Sequence, residues 1–286
     1  MTDATESAKE FEPYRALLSG LAYRMLGSVA EAEDVVQDAF LRWREVDRAA
    51  IAEPRAYLAR VVSRLCLDRL KSARNQREHY VGTWLPEPVV AAPAQTLADD
   101  LSVALLLALV RLSPLERAAF LLHDVFDMDY DAVAAAIDSS EAACRQLAAR
   151  ARAHVREDRP RYAADDSRAR ELAMAFVIAA ATGNVGGLAQ LLADDAVLYT
   201  DGGGKRRCAL KPIVGKDKIV RLYQGLHAKG GGAFTAKRAE ATTLNGLPGF
   251  VFEAAEGTET LAVEVGEGGI VALYHVRNPD KVRHLS

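Results

Sequence analysis

Residues 112–154 read LSPLERAAFLLHDVFDMDYDAVAAAIDSSEAACRQLAARARAH. Ser113 before Pro114, with Glu116 three positions after the serine, is a capping box with proline at the first helical position. Leu115, Ala118, Ala119, Leu122 and Val125 then recur at helical spacing, so a helix is expected to start at Ser113. Tyr130, Val133, Ala134 and Ile137 form a second short apolar face. It stops at Asp138-Ser139-Ser140, where a turn and a new N-cap coincide. Asp138 occupies a turn position that often carries glycine, and aspartate tolerates a left-handed conformation better than most residues. A third helix should follow from Glu141, with Ala142, Ala143, Leu147, Ala151 and Val155 facing inward.

That arrangement is a helix-turn-helix. Between residues 142 and 161 six arginines stand against Glu157 and Asp158, a local charge of +4 in a chain whose net charge is −3. A recognition helix of this kind sets its first side chains on base edges and later cations on phosphates. Ser140, Glu141, Arg145 and Gln146 are therefore assigned to bases, and Arg150 and Arg152 to phosphates. The bland alternative is a helical hairpin with a solvated basic face.

Bulk properties frame this reading. At 286 residues, half of them apolar, the chain has material for two or three domains with real cores. Apolar runs such as 103–110 and 173–181 are far shorter than the roughly 20 residues that span a bilayer, and MTDATESAKEFEPY lacks a signal pattern. A cytoplasmic protein without membrane contact is expected. Cys66, Cys144 and Cys208 are isolated in sequence, which indicates neither a disulfide framework nor a zinc site.

Residues 10–80 read as helices. Val35, Val36, Ala39, Phe40 and Trp43 share one face of a helix that opens with Glu31, Glu33, Asp34 and Asp38, acids suited to a helix N-terminus and left over for a partner. After Ala52-Glu53-Pro54 comes RAYLARVVSRLCLDRLKSARNQR, where seven cations face only Asp68, a local charge of +6.

AEDVVQDAFLRWRE resembles the core-binding helix of bacterial sigma factors, and PRAYLARVVSRLCLDRLKSARN is similar to their minus-10-reading helix. Residues 112–154 then resemble the minus-35-reading domain, and the short two-domain form is that of the extracytoplasmic-function class. The resemblance implies that Asp34, Gln37, Asp38 and Arg42 contact the clamp coiled coil of the largest subunit of RNA polymerase core. It further implies that Arg55, Tyr57, Arg60, Arg64, Asp68, Lys71, Arg74 and Asn75 lie along minus-10 promoter DNA, where a flipped base needs a pocket and a stacking surface. By their apolar spacing, Tyr57 and Trp43 read first as core aromatics.

The helical pattern lapses at EHYVGTWLPEPVVAAPAQ and resumes at Leu97, which marks a linker over 79–100 between the domains at 1–78 and 101–162. Trp84, Leu85 and Pro86 within it are unusual, because a mere spacer has no use for an indole and a leucine in a proline-stiffened segment. This segment should dock, with a lid on a helical domain as the alternative. From residue 163 onward the composition shifts to glycine and β-branched residues. Helices are expected at 167–181, 185–192 and 216–228, and strands at 196–200, 234–244, 249–255, 259–265 and 270–277. Helices followed by a curved antiparallel sheet give an α+β cone, which resembles the SnoaL-like members of the nuclear-transport-factor-2-like fold.

WLPEP, the run Asp201-Gly202-Gly203-Gly204-Lys205, and Asn278-Pro279-Asp280-Lys281 look like the signature motifs of sigma factors that carry such a fused domain. The implied fold is multi-domain: two all-α sigma domains, the second a helix-turn-helix, followed by the SnoaL-like cone. The implied protein is a transcription initiation factor with its control element built in and no separate anti-sigma factor. The three motifs are expected to meet at one interface. No cofactor, metal or catalytic residue is expected, and Gly202 to Gly204 lack the spacing of a phosphate loop. The rival reading is acid and base chemistry in the cone by Asp201, Asp195 or His275. A small-molecule ligand of the cone stands as a further candidate partner.

Overall fold

The computed structural model describes residues 2–77, 80–90, 103–158, 166–229 and 236–285. The chain divides into two compact units, Met1–His79 with Ala104–Arg159, and Tyr80–Val103 with Pro160–Ser286. The linker segment thus folds with the C-terminal part of the chain. The resumption of helix expected at Leu97, Arg159, Arg161 and the strand start at Phe234 lie outside the described residues, as do the side chains of Arg74 and Asn75.

The first unit holds α1 (Thr2–Leu26), α2 (Val29–Glu45), α3 (Pro54–Arg77), α4 (Val103–Arg111, its first residue excepted), α5 (Pro114–Phe120), α6 (Tyr130–Ile137) and α7 (Glu141–Asp158). Gly27, at φ +72°, ends α1, and the Ser28 hydroxyl caps α2 by accepting from the Glu31 amide at 3.3 Å. Val35, Val36, Ala39 and Trp43 are buried as their spacing requires, against Leu58, Val62 and Cys66 of α3 and Leu18, Leu21 and Met25 of α1. Burial pushes the Cys66 thiol up, out of the reactive range.

In the helix-turn-helix, the capping box at Ser113 and Glu116 is complete, and Asp138 sits at φ +55°. Two features differ from expectation. Residues Leu121–Val125 form a widened π-helical turn, with the Phe126 amide donating to the Leu121 carbonyl at 3.0 Å. On α7 the buried positions are Cys144, Ala148, Ala151 and Val155, whereas Ala142 is exposed. The left-handed turn at Asp138 launches α7 so that its first turn stands in solvent, and small side chains at 144, 148 and 151 let the rest seat closely.

The second unit holds α8 (Asp166–Thr182), α9 (Val185–Leu191), β1 (Leu192–Asp201), β2 (Ile213–Val214), α10 (Lys216–Ala228), β3 (Ala236–Leu244), β4 (Leu247–Ala254), β5 (Gly257–Gly266), β6 (Gly269–Val276) and α11 (Pro279–Val282). The six strands form one sheet in the order β2-β1-β6-β5-β4-β3. The sheet is antiparallel except that β1 runs parallel to β6, with Leu198 opposite Leu273 and Asp201 opposite Val276. This mixed pairing follows from α10 and β3 to β5 intervening between the two strands. The helices cover one face, where Phe176, Tyr223, Phe250 and Phe252 fill the interior with Leu198, Leu261 and Leu273.

Asp138 has a positive φ that only a short polar side chain or glycine accepts readily, so Asp138→Val should destabilise the first unit by about 1–2 kcal/mol. Asp138→Gly should change stability by less than half of that in denaturant unfolding.

Candidate nucleic-acid interface

α3 buries Leu58, Val62, Cys66 and Leu70 and leaves Arg55, Arg64, Asp68 and Lys71 on the opposite face, with Tyr57, Arg60 and Arg69 half-buried. The indole of Trp43 is buried, and its centroid lies 6.0 Å from that of Tyr57, over which the Arg60 guanidinium stands at 5.4 Å. Two of the exposed cations are bonded to backbone carbonyls of the helix-turn-helix, and Lys71 pairs with Asp68 at 3.3 Å. Arg64 donates to the Ala135 carbonyl at 2.9 Å and the Ala136 carbonyl at 3.2 Å, and Arg55 donates to the Phe126 carbonyl at 3.0 Å. Ala135 and Ala136 lie in the last turn of α6, where carbonyls have no intrahelical donor and the helix dipole is negative, so a guanidinium is the natural cap. Arg117, buried in α5, donates to the Met25 carbonyl at the end of α1. Ile51, Tyr57 and Arg60 together with Met128, Ala132 and Ala135 line a cavity of 290 Å³. The N-terminal half of this α3 face is therefore covered by α6.

On α7, the Ser140 hydroxyl accepts from the Ala143 amide at 3.2 Å, and Arg145 pairs with Glu141 at 2.8 Å while lying over the Tyr130 ring. Gln146 is exposed. Arg150 reaches Glu116 at 3.2 Å. Arg152 is drawn inward, donating to Asp124 at 2.5 Å and to the Tyr130 hydroxyl at 2.8 Å, bonds that push its guanidinium pKa up. It braces α7 against the π turn.

On α2, Asp34, Gln37 and Arg42 are exposed and Asp38 is half-buried. Arg69 of α3 reaches Asp34 at 3.4 Å and Asp38 at 3.3 Å. Leu41 stands exposed on the same face. Sequence reading had no signal for it beyond an apolar residue out of phase with the core.

The three motifs of the second unit converge on one carboxylate. Asp201, at the end of β1, is 1% exposed. Its Oδ1 accepts from the Tyr80 hydroxyl at 2.5 Å and the Gly203 amide at 3.0 Å, and its Oδ2 accepts from the Leu85 amide at 2.9 Å and Lys281 Nζ at 2.7 Å. Lys281 also donates to the Leu85 carbonyl and stands 4.1 Å from the Trp84 ring centroid. Burial first, then the Asp201 carboxylate, push the Tyr80 hydroxyl well above the ordinary phenol range. Asn278 donates to the Tyr80 hydroxyl at 2.9 Å and caps α11 by accepting from the Asp280 amide at 3.1 Å. Pro279 opens α11.

Glycine is required in this loop. A Cβ at Gly202 would fall 2.2 Å from the Arg206 carbonyl oxygen, and one at Gly203, φ +60°, would fall 2.3 Å from the Asn278 amide nitrogen. A Cβ at Gly204 would press on Val81 at 3.2 Å. Lys205 pairs with Asp280 at 2.5 Å in solvent. Leu85 is fully buried, and it joins Pro86 and Pro88 in packing on Thr260, Ala262, Tyr274 and Val276, on the sheet face away from α8 to α10. Farther on, the Asn245 amide donates to the Val89 carbonyl at 2.9 Å and its side chain accepts from the Val89 amide at 3.0 Å. Tyr80 and Asn245 escaped sequence reading, which saw the first as linker and the second as a turn.

The chemical alternative finds no base in these positions. Asp201 has all four acceptor directions occupied, and Asp195 is exposed. His275 contacts Glu259 at 3.0 Å, and Arg277 donates to the same carboxylate at 2.6 Å. Burial raises the Glu259 carboxyl, but His275 and Arg277 outweigh it and hold the carboxyl at about 2. Among the described residues no group of three or more His, Cys, Asp or Glu side chains could hold a metal ion, and no helix is long and apolar enough to cross a membrane.

Two cationic helical faces, an acidic helix between the N-terminus and the first of them, and a fused α+β unit define a promoter-reading initiation factor of bacterial RNA polymerase. The Sigma-70 region 2 family matches residues 11–76, and the Sigma-70 region 4 family matches residues 102–155. The chain is 40% identical over 287 residues to ECF RNA polymerase sigma factor SigJ of Mycobacterium tuberculosis, covering 95% of this chain and 92% of that protein. The crystal structure of that SigJ superposes with a TM-score of 0.78 at 37% identity, covering 96% of this chain and 98% of the other. A probable ECF sigma factor SigI from the same organism is 38% identical over 186 residues, 63% of this chain and 64% of its own length. The chain belongs to the extracytoplasmic-function RNA polymerase sigma factors. It directs core polymerase to promoters and carries out no chemistry itself.

Two outcomes follow from the buried groups. Lys281→Met leaves the Asp201 carboxylate buried without its cation and should destabilise the second unit by about 3–5 kcal/mol, whereas adding Asp201→Asn should recover part of that loss in a double-mutant cycle. Glu259 is depressed on folding, so its contribution is complete above the unfolded carboxyl value of 4.5 and is lost as pH falls toward about 2. Glu259→Gln should flatten stability against pH over that window in acid titration of thermal midpoints.

Proposed function

We propose that the chain shuttles between the closed first unit and an open one that lays α3 and α7 on promoter DNA, with its second unit acting as a built-in control element. In the open form Arg55, Tyr57, Arg60, Arg64, Asp68, Lys71, Arg74 and Asn75 follow the minus-10 element. Ser140, Glu141, Arg145 and Gln146 read minus-35 bases, and Arg150 leaves Glu116 for a phosphate. Arg152 contributes to DNA binding chiefly by fixing α7. Core polymerase grips α2 through Asp34, Gln37, Asp38 and Arg42 around the exposed Leu41, and competes with Arg69 for the two aspartates.

The observation that carries this reading is Arg64 on the Ala135 and Ala136 carbonyls. Those carbonyls bear partial charges and a phosphate bears a full one, so DNA is the stronger partner once the helices part. Trp84, Leu85, Pro86, the run 201–205 and Asn278 to Lys281 fix residues 80–90 of the linker to the cone. The cytoplasm is the compartment of this activity, and no separate anti-sigma factor is needed. A ligand of the cone has less support, since Phe176, Tyr223, Phe250 and Phe252 fill its interior.

Dyes placed at Glu45→Cys on α2, which packs against α3, and Asp131→Cys on α6, both exposed positions, test the opening. Energy transfer between them should drop when core polymerase and a promoter fragment are added together. Unchanged transfer in an actively transcribing complex sinks the proposal. Arg145→Ala should reduce discrimination between promoters by about 1–3 kcal/mol, read as the ratio of affinities for matched and mismatched minus-35 elements.

A further inference from the structure

We infer that the solvent face of α10 in the fused unit is a third DNA-contacting surface, one that takes duplex phosphates without reading sequence. The inference rests on the reading of the chain as a promoter-bound factor and adds a contact outside the two sigma domains. Residues 205–229 hold eight lysines and arginines against the single acid Asp217, a local charge of +7 in a chain of net charge −3. Three of the eight are spent internally, Lys205 on Asp280, Lys216 on Asp194, and Arg206 on the Thr258 and Glu256 carbonyls. Along α10 Lys218, Arg221 and Lys229 stand exposed, Arg221 with its Nε on the Asp217 carbonyl one turn back at 3.2 Å.

Their spacing puts them on one stripe. At 3.6 residues per turn, positions 218, 221, 225 and 229 fall within about 80° of each other around the axis and run along about 16 Å of it. The three cations of the stripe can engage about three phosphates of a duplex. The fourth member of the stripe is Gly225. Glycine inside a helix costs about 1 kcal/mol relative to alanine, and a Cβ built at Gly225 meets nothing within 4 Å. Packing within the chain therefore does not require glycine there. A bare backbone in the centre of a cationic stripe instead suits a partner whose own backbone comes close, as the sugar-phosphate chain does. Ile219, Val220 and Tyr223 of α10 are buried and Leu226 is its one exposed large apolar side chain, too little apolar surface to insert into lipid.

The test uses the full-length chain and a 60-base-pair duplex of arbitrary sequence, with affinity followed from 50 to 200 mM salt. Each phosphate contact contributes about 0.9 to the log–log salt slope, so Lys218→Gln, Arg221→Gln and Lys229→Gln combined should flatten it by about 2.7. Over that range the wild-type chain should weaken about 40-fold more than the triple variant. Gly225→Ala should keep or raise the thermal midpoint while weakening duplex binding several-fold. Identical slopes for wild type and triple variant overturn the inference while the promoter-reading function stands. The same slopes combined with a triple variant that loses affinity for core polymerase would make the stripe a protein contact, which also overturns it. A wild-type chain that binds neither duplex nor promoter complex would sink the parent reading as well.

Discussion

The architecture of the fused unit depends on a single buried ion pair. A carboxylate removed from water is tolerated only when donors replace its hydration, and Asp201 receives four from three separate stretches of chain. Lys281 supplies the countercharge, and its remaining protons go to the Leu85 carbonyl and the faces of Trp84 and Tyr80. Such a pair contributes little net stability compared with apolar residues of the same volume, yet it punishes any arrangement that separates its members. It therefore specifies where the linker lies. Leu85, Pro86 and Pro88 then bury apolar surface on the outer sheet face, but apolar contact alone would not choose among registers of an extended segment.

The glycines beside Asp201 belong to the same constraint. Gly202 and Gly203 permit β1 to end in a turn so tight that the Arg206 carbonyl and the Asn278 side chain come within the space of a methyl group. The β1 parallel partner β6 runs into Asn278, whose backbone amide donates to the Asp201 carbonyl at 2.9 Å. Thus the run at 201–205 and the motif at 278–281 are neighbours because the sheet is mixed, and the linker joins them because their shared carboxylate needs donors.

Much of this was legible in the sequence, and the limits have physical causes. Capping boxes and left-handed turns are local, so Ser113, Glu116 and Asp138 were read correctly, as was α10 to its end residues. The apolar face of α2 followed from its period. On α7 the period placed Ala151 and Val155 but missed Cys144 and Ala148, because alanine occupies both its faces and Cys144 gives no polarity signal. The parallel β1–β6 pair has no local signature, since both strands alternate as antiparallel ones do. At the interface the motif residues were found, but the partners Tyr80, Asn245 and Arg69 lie where only tertiary contact gives them a role. The inward turn of Arg152 depends on Asp124 in a π turn that periodicity does not mark.

A sigma factor with a negative net charge raises the question of how it engages a polyanion at all. At physiological salt, fields between exposed charges fade over about 8 Å, so a duplex responds to the local patch beneath it and not to the sum. In this chain 19 of the 36 cations lie on α3, α7 and the 205–229 stretch, and α2 carries five acids against two arginines. Closure of the first unit hides part of one patch by lending Arg55 and Arg64 to backbone carbonyls. Arg55 and Arg64 are exposed, so each such bond contributes less than the about 1.5–3 kcal/mol of a buried bond to a charged group, an amount that differential binding to polymerase and DNA can reverse. On the proposed reading the same guanidinium groups act as both latch and ligand, and occupancy of one role withdraws them from the other.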